Sequence, residues 1–161
     1  MSEHNNLVNK LNLKAHPEGG YYKEVFRSSE SISKAALPER FSGARNYITS
    51  IYFLLEKDYF SAFHRIQSDE LWYFHRGADL NIHVIMEDGT YKCYELGAER
   101  DLQCCIPALS WFAAETKGNY SLVSCAVAPG FDFSDFELAE KSKLSIIYPQ
   151  HQQLIDQFCR K

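Results

Sequence analysis

The stretch Ser61–Gly77, SAFHRIQSDELWYFHRG, sets His64, Arg65, Asp69, Glu70 and His75 into otherwise apolar and aromatic sequence. Charge within strand-like sequence is costly to bury without partners or a ligand. On a strand, residues of equal parity share a face, so Ala62, His64 and Ile66 point one way while Phe63 and Arg65 point the other. After a turn at residues 67–69, Glu70, Trp72 and Phe74 again share one face. Two such strands lining one cavity would bring His64 and Glu70 together between Trp72 and Phe74. His64 and Glu70 are therefore the candidate catalytic pair, and Trp72 and Phe74 candidate ligand contacts. The competing reading is a hydrogen-bonded pair satisfied inside a packed barrel. Arg65 and Asp69 are expected to be exposed or paired at strand ends.

Working outward, NYITSIYFLL (46–55) is β-branched, aromatic and nearly uncharged, as a strand requires. LNIHVIM (80–86) and YKCYEL (91–96) flank Glu87-Asp88-Gly89-Thr90, a hairpin signal. Residues 102–106, PALSWFAAE (107–115) and YSLVSCAVA (120–128) add further strands, the last closed by Pro129-Gly130. FDFSDFEL (131–138) alternates Phe with acids. Its phenylalanines, with Trp111, are expected in the core or a subunit interface. Toward the N-terminus, residues 4–14 carry leucines at helical spacing and stop before His16-Pro17. In HPEGG (16–20) the paired glycines permit a turn, and Tyr21–Arg27 reads as an outer strand. Glu18 and Tyr22 are further ligand-binding candidates; for Glu18 the alternative is a purely turn-shaping role. Residues 28–42 read as a loop with room for one helical turn, and 150–159 as a terminal helix. Eight or more short strands, with helices only at the ends, predict an all-β sandwich or barrel. Without repeat or linker, residues 1–161 are expected to form one domain.

The size of 161 residues suffices for a real core, and a charged fraction of 24% beside a hydrophobic one of 45% is ordinary for a globular chain. A formal net charge of −4 gives no basic footprint for nucleic acid. No apolar run approaches the roughly 18 residues that span a bilayer. The N-terminal stretch shows no apolar core of a secretory signal. Of five cysteines, none forms a C-x-x-C pair, so buried thiols in a cytoplasmic protein are expected.

Four segments carry a resemblance: HPEGGYYKE (16–24), TSIYFLLE with AFHRIQSDELWYFHRG (49–77), IPALSWFAA (106–114) and SLVSCAVAPGFDFSDFEL (121–138). Together they are similar to the uncharacterised cupin family 5, formerly a domain of unknown function. The resemblance implies a double-stranded β-helix, or jelly roll, with short terminal helices, a cavity at one end and a homodimeric assembly. His64, Glu70 and Gly77 fall at the spacings of the first cupin motif, whose second His is here Ile66. In the second motif Pro107 matches, but Leu109 stands at the Gly position and Phe112 at the His position. Half of the usual metal ligands are thus replaced by carbon, which implies no resident metal. His64 and Glu70 would be its only remaining ligands, unless His75 or His83 substituted.

Three functions remain open on these residues. A metal-independent epimerase or isomerase would use His64 as general base and an unassigned Tyr as donor, with Trp72, Phe74 and Phe112 as stacking surface for a small polar ligand, sugar- or nucleotide-like. The others are a non-catalytic small-molecule-binding cupin and a metal-dependent enzyme with a degenerate site.

Overall fold

Alternation of apolar and polar residues produces two facing sheets and leaves helices only at the chain ends. The computed structural model of the protein describes residues 3–160, with side chains from residue 6. Helix α1 (Glu3–Leu11) leads into β1 (Lys14–Ala15) and β2 (Tyr21–Arg27). A two-stranded ribbon, β3 (Ser31–Ile32) with β4 (Arg45–Asn46), encloses a single 3-10 turn at Lys34–Ala36. Then come β5 (Thr49–Glu56), β6 (Phe60–Arg65), β7 (Asp69–Gly77), β8 (Leu80–Ile85) and β9 (Tyr91–Leu96). They are followed by β10 (Gln103–Ile106), β11 (Trp111–Thr116), β12 (Tyr120–Ala128) and β13 (Glu137–Leu138). Helices α2 (Lys141–Ile147) and α3 (Gln152–Phe158) end the chain.

The first sheet has the order β1-β2-β5-β12-β7-β10 and the second β13-β6-β11-β8-β9, with antiparallel neighbours throughout. This is the jelly roll expected from the sequence. Its core fills the space between the sheets: Phe53, Leu55, Trp72 and Val123 from one side meet Ile82, Val84 and Phe112 from the other. The outer face of the second sheet is covered by α2 and α3, where Phe63, Ile85 and Trp111 pack on Leu144, Ile155 and Phe158. Leu7 of α1 and nearby Leu13 cover Leu54 and Leu122 on the outer face of the first sheet. Among the described residues, no helix is long and apolar enough to cross a membrane.

Residues 131–138 hold a short turn and a two-residue strand. Asp132 accepts from the backbone N–H of Ser134 at 2.9 Å and caps a 3-10 turn at Phe133–Asp135, so pairing resumes only at β13. Helix α2, for which no sequence signal was read, buries a single residue, Leu144, too little for a periodic pattern. Cys105 is exposed; Cys104, Cys125 and Cys159 are buried, and all five cysteines are free thiols.

The turn of HPEGG is wedged against β6. Gly19 has φ +113° and a Cβ there would collide with the carbonyl oxygen of Phe60. The Glu18 carbonyl accepts from Ala62 N–H at 2.8 Å and from Arg160 Nη2 at 3.0 Å, which fixes the turn on its neighbour. Gly19→Ala is expected to destabilise the protein by roughly 2 kcal/mol or more through backbone strain and collision. Urea denaturation checks this, and an unchanged midpoint would mean that the turn is free to sit elsewhere.

Candidate active site

His64 and Glu70 face each other from different sheets, His64 on β6 and Glu70 on β7, and both open onto one cavity of about 310 Å³. Parity carries this: Phe63 turns outward to α3 while His64 turns inward, and Leu71 is exposed while Glu70 and Trp72 are buried.

The carboxylate bonded to His64, however, belongs to Glu18. His64 Nε2 lies 2.7 Å from Glu18 Oε2, with both side chains more than nine-tenths buried. His64 Nδ1 lies 2.7 Å from the carbonyl oxygen of Ala62, which can only accept, so that nitrogen carries a proton. A second proton must lie between Nε2 and the carboxylate. Burial opposes charge on both groups, but their attraction and hydrogen bond outweigh it, raising the His64 pKa and lowering that of Glu18. Both shifts favour the imidazolium–carboxylate form of the pair. In that form neither ring nitrogen offers a lone pair, so this geometry does not favour the general-base role expected of His64.

Glu70 has the opposite character. Burial, with the negative charge of Glu18 added and His64 only partly offsetting, pushes its carboxyl up to about 7. It stands diagonally from Cys125 on β12, whose thiol burial and the two nearby carboxylates raise well above the ordinary range. His16, beside Glu18, accepts from the Glu18 N–H on Nδ1 at 3.3 Å, and burial lowers its pKa, so it is neutral with its proton on Nε2. The 3.7 Å approach of its Nδ1 to Glu18 is proximity and not an ion pair, since that nitrogen holds a lone pair.

The aromatic wall differs from the expected one. Phe131, Phe133 and Phe136 line the cavity with Tyr22 and Phe53. Phe133 is three residues from Phe136 across the 3-10 turn, and the two rings lie 6.1 Å apart and edge to face. The segment is anchored by the buried Arg45–Asp135 pair, with Nε 2.7 Å from Oδ2. Trp72 belongs to the core behind the cavity, edge-on to Phe53 and Phe112. Phe74 packs against the same core, away from the cavity lining. Phe112 sits directly opposite His64 on β11, its ring centroid 4.1 Å from the imidazole, and supports the imidazole without reaching the lining. Tyr22 and Glu18 do line the cavity, as does Ile66. Arg65 pairs with Glu137 at 2.7 Å, and Asp69 accepts from Ala108 N–H at 2.8 Å, both at strand ends.

The family described as Cupin superfamily (DUF985) matches residues 5–139. The chain belongs to this cupin family. A hypothetical protein from Leishmania major superposes on this cupin with a TM-score of 0.90 and 34% identity, over 99% of this chain and 100% of that one. Protein SO0799 from Shewanella oneidensis gives 0.88 and 34%, with 99% of both chains covered. The uncharacterised Saccharomyces cerevisiae protein YML079W is 31% identical over 144 residues, 80% of this chain and 71% of its own. Oxalate decarboxylase from Bacillus subtilis, at a TM-score of 0.57 and 12% identity over 89% of this chain and 36% of that chain, shares the fold alone.

The donor set of this cupin does not fit the metal that other cupins hold. Ile66 lines the cavity where a ligand His would be, Phe112 packs under His64, and both His64 nitrogens are engaged. Among the described residues, no three His, Cys, Asp or Glu side chains are grouped to bind an ion. His75 bonds Ser124 Oγ at 2.6 Å and is exposed. His83 packs on Phe158 of α3, outside the core between the sheets, and contacts Tyr91 Oη at 2.8 Å. Leu109, at the glycine position of the second motif, keeps a φ of +67°, a conformation that glycine would adopt without strain.

Glu18 escapes sequence reasoning as the partner of His64 because no local pattern joins a turn to a strand so far along the chain. The one available signal is HPEGG itself: an acid held beside two glycines whose positive φ lets the turn lie flat against a strand.

Proposed function

We propose that this cupin binds a small polar ligand in the cavity and transfers a proton on it without a metal, as an isomerase or epimerase does. Glu70 is the acid–base group. Its carboxyl, buried at the cavity wall with a pKa of about 7, carries the reading, because a group that gains and loses a proton near neutral pH suits both directions of transfer. The Glu18–His64 pair contributes a fixed dipole and holds the imidazolium proton out of play. A second proton carrier is needed on the opposite side of the ligand, and Tyr22 is the tyrosine on the lining.

A metabolite thermal-shift screen supplies ligands, since anything that binds only the folded state raises Tm. A stabilising compound is then incubated in deuterium oxide with chelator and followed by mass spectrometry. Deuterium incorporation at a carbon is expected with the native protein, and about 100-fold or more slower incorporation with Glu70→Gln. Stabilisation without exchange would leave a binding protein and overturn the proton transfer. Exchange that needs added metal would overturn the metal-free reading.

A further inference from the structure

The charges around the cavity are paired unevenly, and this bears on what the ligand is. Every cation on the lining already has a carboxylate. The His64 imidazolium is bonded to Glu18. The Arg27 guanidinium donates to both Glu24 oxygens, at 3.0 and 2.8 Å, to Asn46 Oδ1 at 2.8 Å and to the Phe131 carbonyl at 3.0 Å. A phosphate or carboxylate on a ligand would have to displace these partners while facing Glu18 and Glu70. Glu70, by contrast, is more than nine-tenths buried, opens onto the cavity, and has no cation bonded to it among the described residues. The groups around it are His64 on β6, Glu18 from the HPEGG turn and Cys125 on β12, none of which supplies an uncommitted positive charge.

Three phenylalanine rings share the lining with Glu70, and Phe136 lies 5.4 Å from the His64 ring. Phe131 and Phe133 lie 4.9 Å apart at 82°, and Phe136 stands 6.4 Å from Phe131 at 70°. Three mutually edge-on rings present both faces and edges to the space they enclose. Aromatic faces carry negative potential and attract cations.

We propose that the ligand is a small organic cation, of the ammonium or amidinium class, whose charged head draws Glu70 into its ionised form, the form in which it also acts as base, and lies against the Phe131–Phe133–Phe136 rings. This rests on the reading of the cavity as a ligand site, and it narrows the class to exclude phosphorylated and carboxylate ligands. It also accounts for the uncovered position of Phe133, which is 53% exposed at the outer end of the ring cluster, where an entering cation would meet it first.

Three molecules of nearly equal shape separate the alternatives: benzylammonium, benzyl alcohol and phenylacetate, titrated into the full chain at low salt and followed by NMR chemical shifts. Benzylammonium is expected to bind roughly tenfold or more tightly than either of the others, with shifts centred on Glu70, Phe133 and Phe136. Glu70→Gln is expected to remove that preference. Should that variant fail to fold, Phe133→Leu, at an exposed position, is expected to weaken benzylammonium by about threefold and benzyl alcohol by less than twofold. Equal or tighter binding of phenylacetate or benzyl alcohol in the cavity would overturn the charge assignment while leaving a ligand site in place. Absence of cavity shifts with all three would also overturn it, and the metabolite screen would then decide separately whether the cavity is a ligand site.

Discussion

His64→Ala is expected to destabilise the protein by about 3–5 kcal/mol at neutral pH, measured by chemical denaturation. The loss does not come mainly from the missing ring. Glu18 would be left as a buried carboxylate without its imidazolium, and a buried charge stripped of its partner is far costlier than the pair was favourable. The distinguishing control is the double variant His64→Ala/Glu18→Gln, which removes the orphaned charge. It is expected to be more stable than His64→Ala alone, although it carries one more substitution. Strict additivity of the two single losses would mean that the residues do not interact, and that the 2.7 Å contact has no energetic content.

Replacing Glu70 acts in the opposite direction and depends on pH. Its folded pKa, about 7, lies above its ordinary value of 4.5, so the folded state holds the proton more tightly than the unfolded chain. Stability from this group is therefore fully present below pH 4.5 and is lost as pH rises toward 7. Over that window the native protein should lose stability relative to Glu70→Gln by an amount on the order of 3 kcal/mol. The comparison is made as the difference between the two proteins, because Glu18 and His64 contribute pH dependence of their own. A difference that stays flat between pH 4.5 and 8 would show that Glu70 titrates as an ordinary surface carboxylate.

The facing of residues is legible in the sequence where alternation is strict. The parity of Ala62, His64 and Ile66 against Phe63 and Arg65 gives the buried face of β6, and Glu70 with Trp72 gives that of β7, so both polar residues were correctly turned inward. Parity cannot say how far along the face a side chain lies from the cavity. Trp72 and Phe112 share the inward face with Glu70 and His64 yet sink into the core, and only Glu70 and His64 reach open space.

The ring cluster failed for a different reason. FDFSDFEL alternates only over its first three residues; Asp132 and Asp135 are committed to a cap and to Arg45, and these contacts wind the segment into a 3-10 turn. Residues 133 and 136, three apart, then face the cavity together. Glu18 shows the same limit. Its place is set by where a glycine turn docks on β6, a tertiary contact that leaves no mark in local sequence beyond the glycines themselves.

Pairing and burial set the two buried carboxyls of the cavity apart, lowering the pKa of Glu18 against His64 and raising that of Glu70 to about 7. Carbon-13 NMR of the side-chain carboxyls, titrated on the intact protein with Glu70→Gln for assignment, reads this directly. A Glu70 midpoint of about 7 is expected, with Glu18 remaining ionised throughout that range. A Glu70 midpoint near 4.5, or a Glu18 signal that titrates together with it, would contradict it.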